Sequence, residues 1–283
     1  MNGESERLGR LENIWPRQRP AVMGILNCTP DSFSDGGLYL ATDSAIRHGE
    51  RLLDEGADIL DIGGESTRPG ASPVAADEES RRVLPVIIEL RARRPDSLLS
   101  VDTAKADVAR KALAAGADIV NDVTGASDPA MFETVAEADC GIVLMHMRGK
   151  PRSMQDDTEY GHVVAEVHEY LQVRAEAAVS AGIRPTRIWL DPGIGFGKDD
   201  AGNLALLAAV PDLAALGYPI VIGASNKSFI GRLTGAPVDR RLAGSLAALT
   251  TAIAVERAIV RVHDVPETRQ FLDVASAVRE AVA

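Results

Sequence analysis

The segment E-G-A-D-I-L-D at residues 55–61 returns almost unchanged as A-G-A-D-I-V-N at residues 115–121. In both copies a glycine stands where a helix would end, and an apolar run of the kind that forms a buried strand follows it. A chain that repeats this junction alternates helices with strands. The repeat therefore predicts an α/β fold with a parallel sheet.

Eight apolar runs along the chain predict eight strands. They are near-continuously apolar rather than alternating, which is typical of parallel strands covered on both faces. Stretches with helical periodicity follow them. We predict a (β/α)8 TIM barrel, with a doubly wound open sheet as the alternative. The predicted strands are 22–26, 58–62, 97–101, 118–121, 142–147, 187–190, 219–223 and 258–262.

The domain organisation predicted from the sequence is simple. A single barrel domain is expected over residues 20–283, preceded by a polar N-terminal extension at residues 1–19, and nothing marks a break inside the barrel. In the last predicted helix, Phe271, Val274, Ala275 and Val278 share one apolar face.

Composition excludes several classes of protein. The net charge of −11 argues against a nucleic-acid-binding protein, which carries a basic surface. The sequence shows no apolar run long enough to span a membrane and no recognisable signal peptide, so no membrane partner is expected. Cys28 and Cys140 form no pair motif and no metal-binding spacing. A cytoplasmic protein is the simplest interpretation.

Every predicted strand ends in polar or ionisable residues. Barrel enzymes place their active sites at the carboxyl ends of the strands, so these side chains are expected to converge in one mouth. Helix capping could explain any single carboxylate or amide there, but it explains cations poorly. The residues at the strand ends are Asn27, Asp61, Asp102, Asn121, Asp122, His146, Asp191, Ser225, Asn226, Lys227, Arg261 and His263.

The residues around this mouth fall into two chemical groups. Asp102, Asn121 and Asp191 offer paired hydrogen bonds to the N–C–N edge of a flat, nitrogen-rich heterocycle. The cationic group offers a grip for a phosphate or diphosphate and consists of Arg68, Lys227, Arg261 and His263, with Asn27 nearby. Two Gly- and Ser-rich segments, 27–37 and 63–73, have the composition of mobile active-site loops.

The segment D-P-G-I-G-F-G-K at residues 191–198 is not a phosphate-binding loop, because Asp199 follows the lysine where Ser or Thr is required. We interpret it as a flexible loop in which Phe196 can line a pocket. His146 has no partner at a zinc-binding spacing and is expected to be structural.

At this point the motifs identify a family. M-G-I-L-N-C-T-P-D-S-F-S-D-G-G at 23–37 and D-I-G-G-E-S-T-R-P-G at 61–70 closely resemble the two signature segments of dihydropteroate synthases. Shorter matches follow in the same order: S-V-D-T (100–103), N-D-V (121–123), L-M-H-M (144–147), D-P-G-I-G-F-G-K (191–198), K-S-F-I-G (227–231) and R-V-H-D (261–264). The resemblance covers residues 20 to 275 and is highly specific.

The resemblance implies a TIM-barrel transferase of folate biosynthesis. It would condense 6-hydroxymethyl-7,8-dihydropterin diphosphate with 4-aminobenzoate and release pyrophosphate, by departure of the diphosphate and attack of the arylamine. It also implies Mg²⁺ as cofactor, held near Asn27, sulfonamides as competing ligands at the aminobenzoate pocket, and a homodimer.

The same resemblance assigns residues to subsites. The implied pterin-binding residues are Asp102, Asn121, Met145, Asp191, Gly223, Lys227 and Arg261. The implied diphosphate-binding residues are Asn27, Asp35, Arg68, Arg261 and His263. The implied 4-aminobenzoate-binding residues are Phe33, Thr67, Pro69, Phe196, Lys227 and Ser228. Catalysis is expected from Asp102, Asp191, Lys227, Arg261 and His263.

The sequence departs from the family at Asn226, because the usual segment S-R-K-S is here S-N-K-S. Asn is neutral and lacks the guanidinium fork. Either the carboxylate partner of that arginine has also changed, or the chain handles its ligands differently. Three other functions remain open: an aldolase-type barrel with Lys227 as Schiff-base lysine, a pterin-dependent methyltransferase, and a pterin-binding paralogue without synthase activity.

Overall fold

Eight parallel strands close into a barrel in the order of the chain, with β8 pairing back onto β1. The structure is a computed structural model and describes residues 3–15, 18–29, 37–67, 70–149 and 152–281. The strands are β1 Ala21–Asn27, β2 Ile59–Gly63, β3 Leu98–Asp102, β4 Ile119–Asp122, β5 Gly141–Met145, β6 Ile188–Asp191, β7 Ile220–Ile222 and β8 Ala258–Val262. The predicted TIM barrel is confirmed.

Helices lie between successive strands and cover the outside of the barrel, with one more helix before the first strand and one after the last. They are α1 Gly3–Glu12, α2 Gly37–Asp54, α3 Ala76–Arg93, α4 Ala106–Ala114, α5 Met131–Ala138, α6 Val163–Ser180, α7 Asp200–Ala208, α8 Val210–Ala214, α9 Ser228–Thr234, α10 Leu242–Ala247 and α11 Val265–Glu280. Of the helices in these described ranges, none is long and apolar enough to cross a membrane.

The strands are apolar on both faces because each face packs against something. Outward side chains such as Leu60, Val101 and Leu190 pack in the layer between strands and helices. Inward side chains fill the barrel near its amino end. This inner layer contains Ala21, Met23, Ile59, Leu98, Ile119, Val143, Trp189, Val221 and Ile259.

Alternation along each strand then determines which side chains reach the mouth. Since side chains alternate between the two faces, the residue two positions after an inner-layer residue also points inward, one layer nearer the carboxyl end. Six inner-layer residues are followed in this way by Asp61, Asn121, Met145, Asp191, Gly223 and Arg261. The packed interior therefore ends in a layer in which four of these six residues are polar, and that layer forms the floor of the mouth.

The segment before β1 packs against the opposite end of the barrel. Leu11 and Ile14 are buried in the inner layer, beside Met23 and Trp189. An ion pair between Arg10 and the fully buried Asp118, with an N–O distance of 2.7 Å, attaches α1 to the start of β4. This part of the predicted N-terminal extension thus closes the barrel at the end remote from the mouth.

The apolar face of the last helix is not the face that packs against the barrel. In α11 the buried residues are Val265, Thr268, Leu272 and Ser276, whereas Val274 and Val278 are 62% and 61% exposed. The stripe that contains Thr268 and Ser276 therefore faces the barrel. On the apolar face, Phe271 packs against the main core, whereas Val274 and Val278 are exposed in the single chain.

Candidate active site

Arg261 connects two carboxylates at the floor of the mouth. Its Nε donates to Oδ2 of Asp61 at 2.6 Å and one terminal nitrogen donates to Oδ2 of Asp102 at 2.6 Å. The three side chains come from β8, β2 and β3, which are neighbours through β1 in the closed barrel. A guanidinium shared by two carboxylates is held rigidly, because its planar fork matches both partners.

Asp61 is a site residue to which sequence reasoning assigned no role. It is fully buried, and its Oδ2 also accepts a hydrogen bond from Nδ2 of Asn121 at 2.9 Å. Its other oxygen has no hydrogen-bond partner among the described residues. The inner-layer residue Ile59 could have indicated that Asp61 points inward, because Asp61 follows it by two positions along the strand.

Burial strongly perturbs the charges of this cluster. Desolvation raises the pKa of Asp102 to about 7, and the adjacent Arg261 only partly opposes that rise. For Arg261, burial disfavours the charge, but Asp61 and Asp102 outweigh burial and raise its pKa. The arginine is therefore permanently charged, while Asp102 is a carboxyl group whose protonation responds to its surroundings near neutral pH.

Asp191 stands across the mouth at the end of β6. Its Oδ1 accepts the backbone N–H of Gly193 at 2.6 Å. Burial raises the pKa of Asp191, while that hydrogen bond and the nearby positive charges of Lys227 and Arg261 restrain the rise. The turn that follows was predicted to be flexible, but in the structure it is packed, with Phe196 and most of its neighbours buried.

Lys227 is directed into the mouth rather than into water. Its ammonium lies 4.0 Å from the ring centroid of Phe196, a cation–π contact. Its stem passes the backbone of Gly195, where an added Cβ would stand 3.0 Å from the lysine Cδ. Burial, with repulsion from Arg261, lowers the pKa of Lys227 to about 8. The two strand-end cations, Lys227 and Arg261, are thus part of the mouth.

A small apolar surface adjoins the polar floor. Met145 packs with Val123, Met154 and Phe196 in a cluster separate from the main core. A Cβ built on Gly223 would meet no atom within 4 Å, so this glycine borders open space. Flat ring systems bind between apolar surfaces and a few directed polar groups, which is the arrangement here. Val123 and Met154 were not predicted from the sequence.

His263 marks the side of the mouth expected to take an anion. Its Nδ1 lies 2.9 Å from Oγ of the buried Ser225, so the serine hydroxyl fixes the orientation of the imidazole. His263 follows Arg261 by two residues at the end of β8, and both therefore face the mouth.

Asn27, at the end of β1, was predicted to lie near a magnesium ion. Its amide makes no hydrogen bond within the described part of the chain. Those residues also contain no cluster of three His, Cys, Asp or Glu able to hold a metal by themselves. Mg²⁺ commonly keeps several waters and takes one or two protein oxygens plus substrate phosphates. One amide oxygen beside a diphosphate site fits such an ion.

Four of the site residues predicted on the two loops lie outside the described residues: Phe33, Asp35, Arg68 and Pro69. Thr67 is half-buried at the rim, and Ser228 is exposed at the start of α9, directly after Lys227.

The base of the second loop is anchored by an ion cluster that sequence reasoning missed. Nζ of Lys105 bridges Glu65 in that loop and the fully buried Glu79 of α3. Oε1 of Glu65 also accepts the backbone N–H of Val74 at 3.3 Å, which joins the two ends of the loop.

Asn226, the departure from the family, occupies a left-handed backbone conformation with φ 58°. Its Nδ2 lies 3.4 Å from Oδ2 of Asp264, and its backbone oxygen accepts from Arg241 at 3.1 Å. The carboxylate that an arginine here could pair with is therefore Asp264. A different guanidinium, that of Arg241, lies against the same turn.

His146 is placed in a structural environment. Its ring contacts the ring of Tyr170 edge-on at a centroid distance of 4.8 Å, and Nδ1 has no hydrogen-bond partner among the described residues. Burial, together with the charge of Lys198, lowers the pKa of His146 to about 3. The imidazole is neutral at physiological pH.

Comparison with known proteins gives one consistent family. Residues 23–263 match the model of the pterin binding enzymes. A dihydropteroate synthase of Neisseria meningitidis is 49% identical over 266 residues, covering 92% of this chain and 93% of that protein. The Xanthomonas albilineans dihydropteroate synthase with 4-aminobenzoic acid superposes with a TM-score of 0.86 at 50% identity, covering 92% and 93% of the two chains. The Yersinia pestis enzyme in a sulfonamide complex gives 0.86 at 44% identity, covering 93% and 95%. The chain therefore belongs to the dihydropteroate synthase family of pterin binding enzymes, whose members are transferases of folate biosynthesis.

Proposed function

We propose that the mouth forms 7,8-dihydropteroate by two steps that different residues support. The C–O bond between the pterin methylene and the diphosphate breaks, and the amine of 4-aminobenzoate then forms a C–N bond to that carbon and loses a proton. The observation that carries this proposal is the convergence of Asp102, Asn121 and Asp191 with Arg261 and Lys227 in one mouth. No covalent bond to the enzyme is required.

The carboxylates and the amide bind the pterin. Asp61 holds the side chain of Asn121, and Arg261 holds that of Asp102, so both side chains are fixed before the ligand arrives. Asp102 and Asp191 accept hydrogen bonds from the N–H groups of the heterocycle. When the C–O bond breaks, positive charge spreads into the electron-rich ring, and the two nearby carboxylates stabilise it.

The positive side of the mouth stabilises the departing diphosphate. Arg261 and the Ser225-oriented His263 lie on this side. The prediction that Arg68 also binds the diphosphate is part of this proposal and concerns a residue outside the described ones. A Mg²⁺ ion held by Asn27 and the diphosphate would supply further positive charge to the leaving group.

The arylamine half is organised around Lys227. Its stem and the ring of Phe196 form one wall, and Ser228 follows at the rim, where its hydroxyl can donate to the aminobenzoate carboxylate. An arylamine is neutral at pH 7 and nucleophilic without a base, so the residues act by orientation. Sulfonamides, named with the Yersinia pestis relative, resemble 4-aminobenzoate in shape and compete for this wall.

The compartment and the assembly are also part of this proposal. Free thiols at the buried Cys28 and Cys140 suit the reducing cytoplasm. We propose a homodimer joined through α11, because its apolar stripe at Val274 and Val278 is exposed in the single chain.

Replacing both Val274 and Val278 by Glu should therefore convert a dimer into a monomer in sedimentation equilibrium. Synthase activity should remain, since the described site residues come from one chain. Val173→Glu, on the exposed side of α6, is the matched control and should leave the assembly unchanged. A wild-type chain that sediments as a monomer contradicts the proposal.

A synthase assay on the wild type and on Asn226→Arg tests the activity itself. We expect turnover, loss of rate with a chelator and recovery with Mg²⁺, and a sulfonamide that raises the KM for 4-aminobenzoate at constant kcat. Asn226→Arg should change kcat/KM by less than about threefold, because Asp264 already has the amide partner. It should destabilise the fold by about 1 kcal/mol, since Asn tolerates the left-handed backbone better than Arg. Pterin binding without turnover would instead identify a paralogue without synthase activity.

A further inference from the structure

Lys198, in the turn after β6, is a buried cation that the reaction described above does not use. Its side chain is almost completely inaccessible, and no carboxylate of the described residues lies within salt-bridge distance of its ammonium. Burying an unpaired ammonium is costly. A lysine in this position does not serve stability efficiently, so its presence there calls for another reason.

The ammonium is bound entirely by backbone carbonyls. Nζ lies 2.9 Å from the oxygen of Gly193, 2.8 Å from that of Phe196 and 3.3 Å from that of His146. Three acceptors require three N–H donors, which only the charged form of lysine supplies. The lysine thus connects the end of β5 to both ends of the turn after β6.

This turn carries one contact for each substrate half. The N–H of Gly193 fixes Asp191 on the pterin side, and Phe196 supports Lys227 on the arylamine side. The turn is tightly seated, because an added Cβ at Gly193 would lie 1.9 Å from the oxygen of His146. Any shift of the turn therefore moves Asp191 and Phe196 together.

We propose that Lys198 is a positioning residue of the synthase reaction, whose ammonium holds the turn 193–196 so that Asp191 and Phe196 face the two substrates in register. This inference rests on the proposed role of Asp191 in binding the pterin. A second effect follows from charge, because the cation behind the turn favours the ionised form of Asp191.

The surroundings of Lys198 on balance disfavour its positive charge. Burial lowers the pKa of Lys198 to about 7; Asp191 opposes this change, while Lys227 and Arg148 add to it. The neighbouring His146 is neutral and contributes only its carbonyl. Pterin binding, which brings hydrogen-bond donors to Asp191, should keep both groups ionised.

The test compares Lys198→Met, which keeps the length and removes the charge, with Asn203→Ala. Asn203 accepts the N–H of Gly195 at 2.6 Å, so its loss loosens the same turn without changing charge. We expect Lys198→Met to lower kcat at least about tenfold and to raise the KM for both substrates. In a plot of pterin affinity against pH, the acid limb, where affinity is lost as Asp191 gains a proton, should move to higher pH. Asn203→Ala should raise both KM values and leave the limb in place.

The controls separate positioning from simple destabilisation. Lys111→Met, at an exposed lysine of α4, should change nothing. In an Asp191→Asn background, Lys198→Met should no longer shift the limb of pterin binding measured by calorimetry. An unchanged kcat or an unmoved limb in folded Lys198→Met overturns the inference. If that variant does not fold, unchanged KM values in Asn203→Ala overturn it. A near-normal Asp191→Asn enzyme would instead refute the proposed role of Asp191.

Discussion

Replacing Arg261 by Met should abolish most of the activity and much of the stability together. Activity falls because the guanidinium fixes Asp102 and, in the proposed reaction, stabilises the departing diphosphate. We expect kcat/KM to drop by two to four orders of magnitude, about 3–5 kcal/mol. Stability falls because Asp61 and Asp102 remain buried without their cation, which costs about 3–5 kcal/mol. Steady-state kinetics and denaturant unfolding measure the two effects.

The instability should depend on pH in a defined direction. In the wild type the folded-state pKa of Asp102 is about 7, above the ordinary carboxyl value, because of burial. Loss of Arg261 raises that pKa further. A group that binds its proton more tightly in the folded state makes folding less favourable as pH rises. The difference in unfolding free energy between wild type and Arg261→Met should therefore be larger at pH 8 than at pH 5.

Two further variants serve as comparisons for Arg261→Met. Arg261→Lys keeps the charge but loses the fork, so it should recover part of the stability and little of the activity. Arg269→Met, which breaks an exposed ion pair with Asp273 on α11, should be nearly silent. Near-normal kcat/KM in Arg261→Met would refute the proposed role of the cluster.

The fold was predictable because it depends on local patterns that repeat. Each strand is a short, near-continuously apolar run, and the observed ends lie within two residues of the predicted ones. The same periodicity places the site, since residues such as Asp191 and Arg261 follow inner-layer residues by two positions. A polar residue at the end of such a run indicates a site, because the inner-layer residues before it are apolar.

The missed features depend on distances between segments far apart in the chain. Asp61 was noticed as a strand end, but its contact with Arg261 joins residues 200 positions apart. Lys198 looked like part of a flexible loop, since glycines surround it, and only its three carbonyl partners show that the turn is held. On α11, periodicity found a real apolar stripe at Val274 and Val278, but it could not tell which stripe faces the barrel.

Asp191→Asn is the second substitution with a large expected effect, and it should separate activity from stability. Asn keeps an oxygen for the N–H of Gly193 but removes the charge that, in the proposed reaction, holds the pterin and stabilises the developing cation. We expect kcat/KM to fall by two to four orders of magnitude, with weaker pterin binding in calorimetry.

Stability should not fall with it. Burial raises the pKa of Asp191 despite the cations around it, so the ionised form is a net cost to the folded state, and this cost grows as pH rises above the ordinary carboxyl value. Removing the charge should therefore leave the unfolding temperature at pH 8 no lower than that of the wild type. Asp212→Asn, in the first turn of α8, is a control for the change of residue type. An inactive variant that is also strongly destabilised would show that Asp191 supports the barrel, whereas an inactive and fully stable one would show a carboxylate kept for the pterin at the expense of the fold.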